Sequence, residues 1–296
     1  MSSFAAFGRA SAAWLWVALV WFGGYAAAAE PLGRYPADPA QVSVSGISSG
    51  AFMANQLHVA HSAGIMGAGI VAGGLYGCAV DSVTDDGTVA LASLAVGPCM
   101  SAPALLQPVG FYAQIIADLA AKGWIDPPGN LAGSHVYMFT GQADKVVNPK
   151  TVELGASLYQ TLGVPPSQIV FHDEDLPAPG AGHSWVTQNF GNACDANATP
   201  YINDCRYDQS GDMLQTIYGP MQPKAATPTG RIVAFDQTEF VPDTPPRRTE
   251  CRIPAICMSP RPASRVPRNC AACMWRCMAV CNRPRCWAMS FTPRSV

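Results

Sequence analysis

A serine flanked by glycines stands near the front of the chain, in the segment VSVSGISSGAFMANQLHVAHS at 42–62. Ser48 is the central residue of GISSG, which follows a β-branched, alternating stretch and precedes a stretch with helical apolar spacing. A G-x-S-x-G pattern between a strand and a helix is the turn on which many hydrolases hold a nucleophilic serine. We therefore predict that Ser48 is a nucleophile, with the backbone N–H of Ser49 at the helix start as one oxyanion donor.

A nucleophilic serine needs a histidine base. Of the five histidines, His58 and His61 fall within the predicted helix that follows the serine, and His135 and His172 lie at the ends of predicted strands. His183 lies in LPAPGAGHSWVTQ, a Gly/Pro-rich loop of the kind that often carries catalytic residues. We predict that His183 is the base.

The base in turn needs a carboxylate that fixes its tautomer. Asp144 lies in VYMFTGQADKVVNP, where a predicted strand ends and a short loop precedes a helix. The acidic run at 173–175 is a competitor, although such a run usually marks a solvated face. The order Ser48, Asp144, His183 is the order of the triad in α/β-hydrolases, so we predict Asp144 as the acid.

The elements that must position these residues alternate between strands and helices. Strand patterns occur in QVSVSGI, GAGIVAGG, HVYMFTG, QIVFHDE and RIVAF, and helical spacing occurs in SGAFMANQLHVAHSAG, in VGFYAQIIADLAAKG and over 151–162. This alternation predicts an α/β fold, with a mostly parallel sheet and helices on both faces. No H-x-x-x-H pair or Walker loop occurs before the basic tail, so we expect no metal and no cofactor.

Composition divides the chain into three segments. In residues 1–29 an arginine precedes an apolar run that ends in an A-x-A site, which predicts a secretory signal peptide rather than a membrane span. Residues 30–246, the predicted catalytic domain, contain seven Lys/Arg and nineteen Asp/Glu, a net charge of −12, whereas residues 247–296 contain ten Arg and one Glu, a net charge of +9. We expect a secreted monomer, extracellular or periplasmic, that binds no nucleic acid and, once the signal is cleaved, no membrane.

Four cysteines precede the basic segment. An even set in an exported protein predicts disulfide bonds, and four cysteines allow three pairings. We favour Cys78–Cys99 and Cys194–Cys205, because each pair closes a short loop rich in Asp, Gly, Pro or Asn.

The motifs GISSGAFMANQLHVAHS, GAGIVAGGLYGCA, TGQADKVVNP, GAGHSWVT and FDQTEF, in this order, resemble secreted poly(3-hydroxybutyrate) (PHB) depolymerases of the single-domain, circularly permuted type. The resemblance implies an α/β-hydrolase fold that cleaves polyester or hydroxyalkanoate-oligomer substrates with Ser48, Asp144 and His183. It also implies that strands usually preceding the nucleophile lie at the C-terminus, which would explain why only residues 30–47 precede Ser48 after signal cleavage. A general secreted carboxylesterase on the same scaffold is the alternative.

The tail departs from that family's pattern, which continues with G-Y-x-Y-V-P and then L-H-V-A-L-H-G-C. Codons for CMWRCMAVCN at 273–282, regrouped one base earlier, permit L-H-V-A-L-H-G-C-L-Q, and those from Pro254 permit G-Y-L-Y-V-P. We therefore predict that the chain is out of frame from about Pro245, that C-terminal strands are missing, and that 247–296 is a disordered product of the shift.

The alternative for the tail is a non-enzymatic binding protein in which closely spaced cysteines ligate zinc. These cysteines are Cys270, Cys273, Cys277 and Cys281. Their spacing matches no standard paired zinc-knuckle pattern, and the frame shift accounts for them without a function.

Overall fold

The computed structural model describes residues 30–173, 180–227, 230–236, 255–259 and 275–276. The predicted signal peptide and most of the basic tail lie outside these residues. In chain order the described strands are β1 (Glu30–Pro31), β2 (Ser43–Ile47), β3 (Gly67–Val71), β4 (Val80–Val83), β5 (Thr88–Ala90), β6 (His135–Phe139), β7 (Ile169–His172), β8 (Trp185–Thr187), β9 (Asn192–Ala193), β10 (Ile202–Asp204), β11 (Arg231–Asp236), β12 (Ala255–Ser259) and β13 (Trp275–Arg276). The α-helices are α1 (Ser49–Ala60), α2 (Ala92–Val96), α3 (Val109–Ala121), α4 (Pro149–Thr161) and α5 (Gln209–Tyr218).

A four-stranded parallel sheet in the order β2-β3-β6-β7 forms the centre of the fold. Helix α1 follows β2 and helix α4 follows β6 along the chain, and strand β3 is buried along its whole length. Parallel strands joined by helical crossovers need cover on both faces. The predicted α/β fold with a mostly parallel sheet is confirmed.

The two faces of this sheet have separate apolar cores because side chains alternate along each strand. On one face Ala68, Ile70, Val136 and Met138 pack in a cluster with residues of α1, α3 and α4. On the other face Val71, Tyr137 and Phe139 pack in a second cluster with residues of α5 and β8.

Helix α5 approaches the sheet so closely that β3 presents glycine to it. A Cβ added to Gly69 would lie 2.0 Å from Met213 Sδ, and one added to Gly67 would lie 3.0 Å from Ile217 Cγ2. The small residues of GAGIV therefore allow a helix to lie almost directly on the strand.

Besides the central sheet, the described strands form three smaller sheets, in the orders β8-β10-β9, β4-β5 and β1-β11-β12-β13. Strands β12 and β13 fall within the basic tail and pair antiparallel in that last sheet. Among the described strands β2 pairs with β3 alone, so β2 is an edge of the central sheet in this part of the chain. The circular permutation and the loss of C-terminal strands stay predictions.

Two disulfide bonds fasten the surface loops. Cys78 is bonded to Cys99 and Cys194 to Cys205, with Cα–Cα distances of 5.8 and 4.8 Å. These are the two pairings that the sequence favoured. No helix in the described ranges combines the length and the apolar character that crossing a membrane requires.

Candidate active site

Ser48 occupies a strained turn between β2 and α1. Its φ of 55° and ψ of −124° lie outside the regions that most L-residues adopt. The turn is tight because the first residues of α1 fold back over the end of β2. A Cβ on Gly46 would lie 2.4 Å from the carbonyl carbon of Gly50. The glycines of GISSG therefore permit the contact that raises Ser48 above the sheet.

Helix α1 begins immediately after this serine. The carbonyl of Ser48 accepts the backbone N–H of Phe52, 3.0 Å away, which is the first bond of the helix. The N–H of Ser49, the first helical residue, has no intrahelical acceptor, as at every helix start. An N–H in this position, next to the serine and at the positive end of the helix dipole, is suited to an oxyanion.

Asp144 and His183 form a buried, directly bonded pair. His183 Nδ1 lies 2.8 Å from Asp144 Oδ2, and the two side chains are 4% and 0% exposed. The second carboxylate oxygen, Oδ1, accepts the backbone N–H groups of Val146 and Val147 at 2.8 and 2.9 Å. These bonds fix the carboxylate, which in turn fixes the tautomer and the orientation of the imidazole.

The three predicted residues leave the sheet at the same edge. Ser48 follows β2, Asp144 follows β6 and His183 follows β7, and the carboxyl ends of parallel strands meet at one rim. Backbone hydrogen bonds continue across this rim beyond the strand ends, from Ser48 N to Val71 O, from Ala72 N to Phe139 O and from Thr140 N to His172 O.

Only two of the three predicted residues, Asp144 and His183, are hydrogen-bonded to each other. Asp144 and His183 are bonded, whereas neither Ser48 Oγ nor His183 Nε2 makes a hydrogen bond to any residue that the structure describes. Hydrogen bonds of catalytic groups are often long in a protein without substrate and shorten in the complex. His183 Nε2 is therefore the ring nitrogen that is available for a further hydrogen bond.

A hydrogen-bonded histidine–serine pair, His58 and Ser134, lies away from these three residues. His58, which is 0% exposed, has Nδ1 2.9 Å from the Tyr159 hydroxyl and Nε2 3.1 Å from Ser134 Oγ. Burial lowers the pKa of His58 from 6.5 to about 4. Ser134 is itself buried and precedes β6, at the opposite edge of the sheet from Asp144. Both ring nitrogens of His58 are engaged in the interior, so this contact serves packing.

The other histidines have equally ordinary surroundings. His61 is an exposed residue at the end of α1, and His135 begins β6 at the edge away from Ser48. His172 Nε2 lies 2.9 Å from Asp212 Oδ2 on the α5 side of the sheet. No group of three His, Cys, Asp or Glu side chains among the described residues is arranged to hold a metal ion.

Two residues beside the pair had no signal in the sequence. The ring of Tyr201 meets that of His183 edge to face, with centroids 5.6 Å apart. The side chain of Asn197 bonds to the backbone of His183 and to both neighbours of Asp144. Both lie in the loop closed by the Cys194–Cys205 bond, which has no periodic pattern.

Two curated proteins that resemble this chain in sequence are named as depolymerases of the same polymer. A poly(3-hydroxybutyrate) depolymerase of Delftia acidovorans is 40% identical over 236 residues, which are 79% of this chain and 44% of that protein. A polyhydroxybutyrate depolymerase of Talaromyces funiculosus is 32% identical over 232 residues, 74% of this chain and 60% of that protein. The chain therefore spans less than two thirds of the curated relatives that it matches. No family model matches the sequence.

Solved structures agree with the sequence comparison. The crystal structure of a PHB depolymerase from Penicillium funiculosum has a TM-score of 0.59 and 27% identity, and the match covers 70% of this chain and 60% of that one. A serine-to-alanine variant of a PHB depolymerase complexed with an R3HB trimer matches over the same shares, with a TM-score of 0.59 and 26% identity. By sequence and by fold, this chain is similar to poly(3-hydroxybutyrate) depolymerases over most of its own length.

Proposed function

We propose that residues 30–246 are the catalytic domain of a secreted serine esterase that hydrolyses poly(3-hydroxybutyrate)-type polyesters or their oligomers. Ser48 is the nucleophile, His183 the base and Asp144 the acid. The observation that carries this proposal is the buried 2.8 Å contact between Asp144 and His183, at the sheet rim where Ser48 occupies a strained turn.

The reaction follows from these positions. Ser48 Oγ attacks the ester carbonyl while His183 Nε2 takes the hydroxyl proton, and Asp144 stabilises the imidazolium that forms. The carbonyl oxygen becomes an oxyanion that accepts the N–H of Ser49. When the ester C–O bond breaks, His183 returns the proton to the departing alcohol. A water molecule then attacks the acyl-serine with His183 as base again, which releases the acid and restores Ser48.

The substrate class is taken from the relatives. The two curated relatives are named as depolymerases of this polymer, and a related structure holds an R3HB trimer. A 3-hydroxyacyl ester presents the carbonyl and alcohol that the mechanism requires, so the substrate of this chain is the same class of ester.

Secretion of the protein has two supports. The apolar segment at 1–29 has the composition of a signal peptide, and the two disulfide bonds need an oxidising compartment.

The activity of the chain as written is reduced by its tail. A second oxyanion donor would come from the L-H-V-A-L-H-G-C segment of the family's pattern, which codons for residues 273–282 permit only in a shifted frame. Loss of one oxyanion donor typically lowers turnover by ~10²–10³. The open edge of β2 also lacks a pairing strand in the described part of the chain, and unpaired edges favour aggregation.

The first experiment measures hydrolysis of a short chromogenic ester by the purified full chain, beside Ser48→Ala and the control Ser157→Ala on α4. Slow hydrolysis that Ser48→Ala abolishes and Ser157→Ala retains supports the proposal. Hydrolysis that survives in Ser48→Ala contradicts it. Parallel assays on polymer film and soluble esters separate a polyester hydrolase from a general carboxylesterase.

The second experiment tests the tail. The nucleotide sequence around codons 240–260 locates the frame change, and a gene with the upstream frame restored is expressed beside the original. We expect the restored protein to turn over the chromogenic ester ~10²-fold faster or more. The frame hypothesis is wrong if the restored frame lacks the H-G-C segment.

A further inference from the structure

One amide side chain ties together the two loops that carry the acid and the base. We call residues 140–147 the acid loop and residues 180–184 the base loop. Asn197 Oδ1 accepts the backbone N–H of His183 at 2.9 Å and that of Lys145 at 2.9 Å. Asn197 Nδ2 donates to the carbonyl of Ala143 at 2.9 Å. The amide therefore contacts the backbone of the base itself and of both residues that flank Asp144.

We propose that Asn197 is a positioning residue that holds the Asp144 carboxylate and the His183 imidazole in bonding register. This inference rests on the proposed catalytic function of that pair. The acid and base lie 39 positions apart on loops after different strands, so their contact depends on how those loops are joined. A misplacement of about 1 Å in a catalytic group can cost ~10²-fold in rate.

Only one of the two orientations of the Asn197 amide group satisfies its hydrogen-bond partners. An asparagine side chain can accept two hydrogen bonds and donate two. Asn197 uses all four, because Nδ2 also donates to the carbonyl of Asp195 at 3.1 Å. A flipped amide would point N–H groups at two backbone N–H donors and oxygen at two carbonyls. The four hydrogen-bond partners therefore fix the orientation of the Asn197 amide.

Asn197 lies in a loop that is itself held by several bonds, which we call the disulfide loop (194–205). The Cys194–Cys205 bond closes it, and the buried Asn203 donates through Nδ2 to the carbonyls of Cys194 and Ala196 at 2.8 Å each. Gly182 N of the base loop donates to Cys194 O at 2.9 Å. The disulfide loop can therefore act as a fixed support for the bridge.

The acid and base loops have one direct backbone contact besides the bridge. Ala143 N donates to Ala181 O at 3.1 Å, and the loops pass so closely that a Cβ on Gly141 would lie 2.0 Å from the same carbonyl. Loss of the amide would leave this contact, so we expect the loops to shift rather than unfold.

Asn192 offers a matched control, because it has the same side chain and a similar partial burial. Its Nδ2 donates to the carbonyls of Ala198 and Thr199 at 3.1 and 3.4 Å, both in the disulfide loop. The Asn192 side chain makes no hydrogen bond to the described residues of the acid loop or the base loop. If Asn197 only stabilised the disulfide loop, truncation of either asparagine would have the same consequences.

The test compares the full-length wild type with Asn197→Ala, Asn197→Asp and Asn192→Ala. Two quantities are measured at a temperature where all four are folded: kcat and KM on a soluble chromogenic ester, and the far-downfield proton NMR resonance of His183 Nδ1–H bonded to Asp144. We expect Asn197→Ala to lower kcat roughly 10²-fold with little change in KM, and to shift or broaden the resonance. Asn192→Ala keeps both kcat and the resonance.

Asn197→Asp separates the two halves of the bridge. The carboxylate still accepts from His183 N and Lys145 N but cannot donate to Ala143 O, so kcat should fall between those of the wild type and the alanine variant.

The outcomes distinguish this proposal from the proposed function. If the wild type hydrolyses no ester but shows the resonance, and Asn197→Ala alone loses it, the positioning role stands and the esterase function fails. If Asn197→Ala retains kcat and the resonance, or if Asn192→Ala loses them equally, the positioning role is wrong.

Discussion

The residues that the structure describes include two imidazole–carboxylate pairs with nearly equal N···O distances, Asp144–His183 at 2.8 Å and Asp212–His172 at 2.9 Å. The imidazole–carboxylate distance therefore does not distinguish a catalytic pair from a structural one. What differs is the use of the remaining atoms of each pair.

In our proposal the Asp144–His183 pair takes part in proton transfer. The Asp144 carboxylate is fully buried and is fixed by two backbone N–H groups. The His183 imidazole lies at the rim that bears Ser48, and its Nε2 has no hydrogen-bond partner among the described residues. Of the two carboxylate oxygens, Oδ1 is taken by backbone N–H groups and Oδ2 is bonded to the His183 ring, which leaves the other ring nitrogen for a hydroxyl in the proposed mechanism.

The Asp212–His172 pair is part of an aromatic cluster instead. The Tyr207 hydroxyl donates to the same Oδ2 of Asp212, and the Tyr137 hydroxyl lies 3.1 Å from that of Tyr207. The His172 ring lies 5.5 Å from the ring of Tyr137 and 6.0 Å from that of Tyr207. Burial raises the pKa of Tyr207, so its hydroxyl stays protonated as a donor. This cluster fastens α5 to the end of β7.

Substitution of the two imidazoles should give the largest contrast. His183→Gln removes the base, and we expect kcat to fall by roughly 10⁶-fold while the melting temperature changes little. His172→Gln should leave kcat on the chromogenic ester unchanged and lower stability by about 1–2 kcal/mol. Kinetics and urea unfolding of both variants check this; a large kcat loss in His172→Gln would mean that the second pair takes part in catalysis.

Replacement of each carboxylate by an amide of nearly equal volume should also affect kcat differently in the two pairs. Asp144→Asn places an amide against His183 Nδ1 and favours the wrong tautomer, so we expect kcat to fall by ~10⁴-fold. Asp212→Asn retains an oxygen for the Tyr207 hydroxyl and should leave kcat unchanged. The measurement is kcat/KM for both variants across pH, and equal losses in the two would refute the distinction.

The buried His58 gives a smaller effect that depends on pH. Its pKa is about 4 in the folded protein against 6.5 ordinarily, so the fold favours the neutral ring. Its contribution is therefore complete above pH 6.5 and is lost as the pH falls towards 4. The loss amounts to about 3 kcal/mol of unfolding free energy.

Urea unfolding of the wild type and His58→Gln at pH 7.5 and 4.5 checks this. The glutamine variant should lose less stability between the two pH values than the wild type. His61→Gln, at the exposed end of α1, is the control and should behave like the wild type. If His58→Gln and the wild type lose equal stability, another group governs the acid sensitivity.

The central sheet was predictable because its signals are local. Strands β2, β3, β6 and β7 are β-branched or continuously apolar, and the helices between them have apolar spacing. The turn at Ser48 was predictable because a tight strand-to-helix junction needs the glycines that the sequence contains. The loop positions of Asp144 and His183 followed from where these strands end.

Other features depend on contacts that leave no periodic pattern. Helix α5 is short, polar and contains Gly211, and the sequence analysis did not predict it. In the structure the Asp208 carboxylate caps this helix by accepting the N–H of Gly211. The disulfide loop is held by amide side chains bonded to distant backbone groups, and the bridge by Asn197 is visible only when the loops are placed together. The pairing of His172 with Asp212 across 40 positions is equally invisible in sequence.

Covalent trapping tests the central claim, that Ser48, His183 and Asp144 act as one unit. The full chain is incubated with a fluorophosphonate, which loses fluoride to an activated serine, and the adduct is located by peptide mass spectrometry. We predict a single adduct on Ser48 that is absent in Ser48→Ala, strongly slowed in His183→Gln and unaffected in His172→Gln. An adduct on another serine, or equal labelling of the wild type and His183→Gln, would contradict the account.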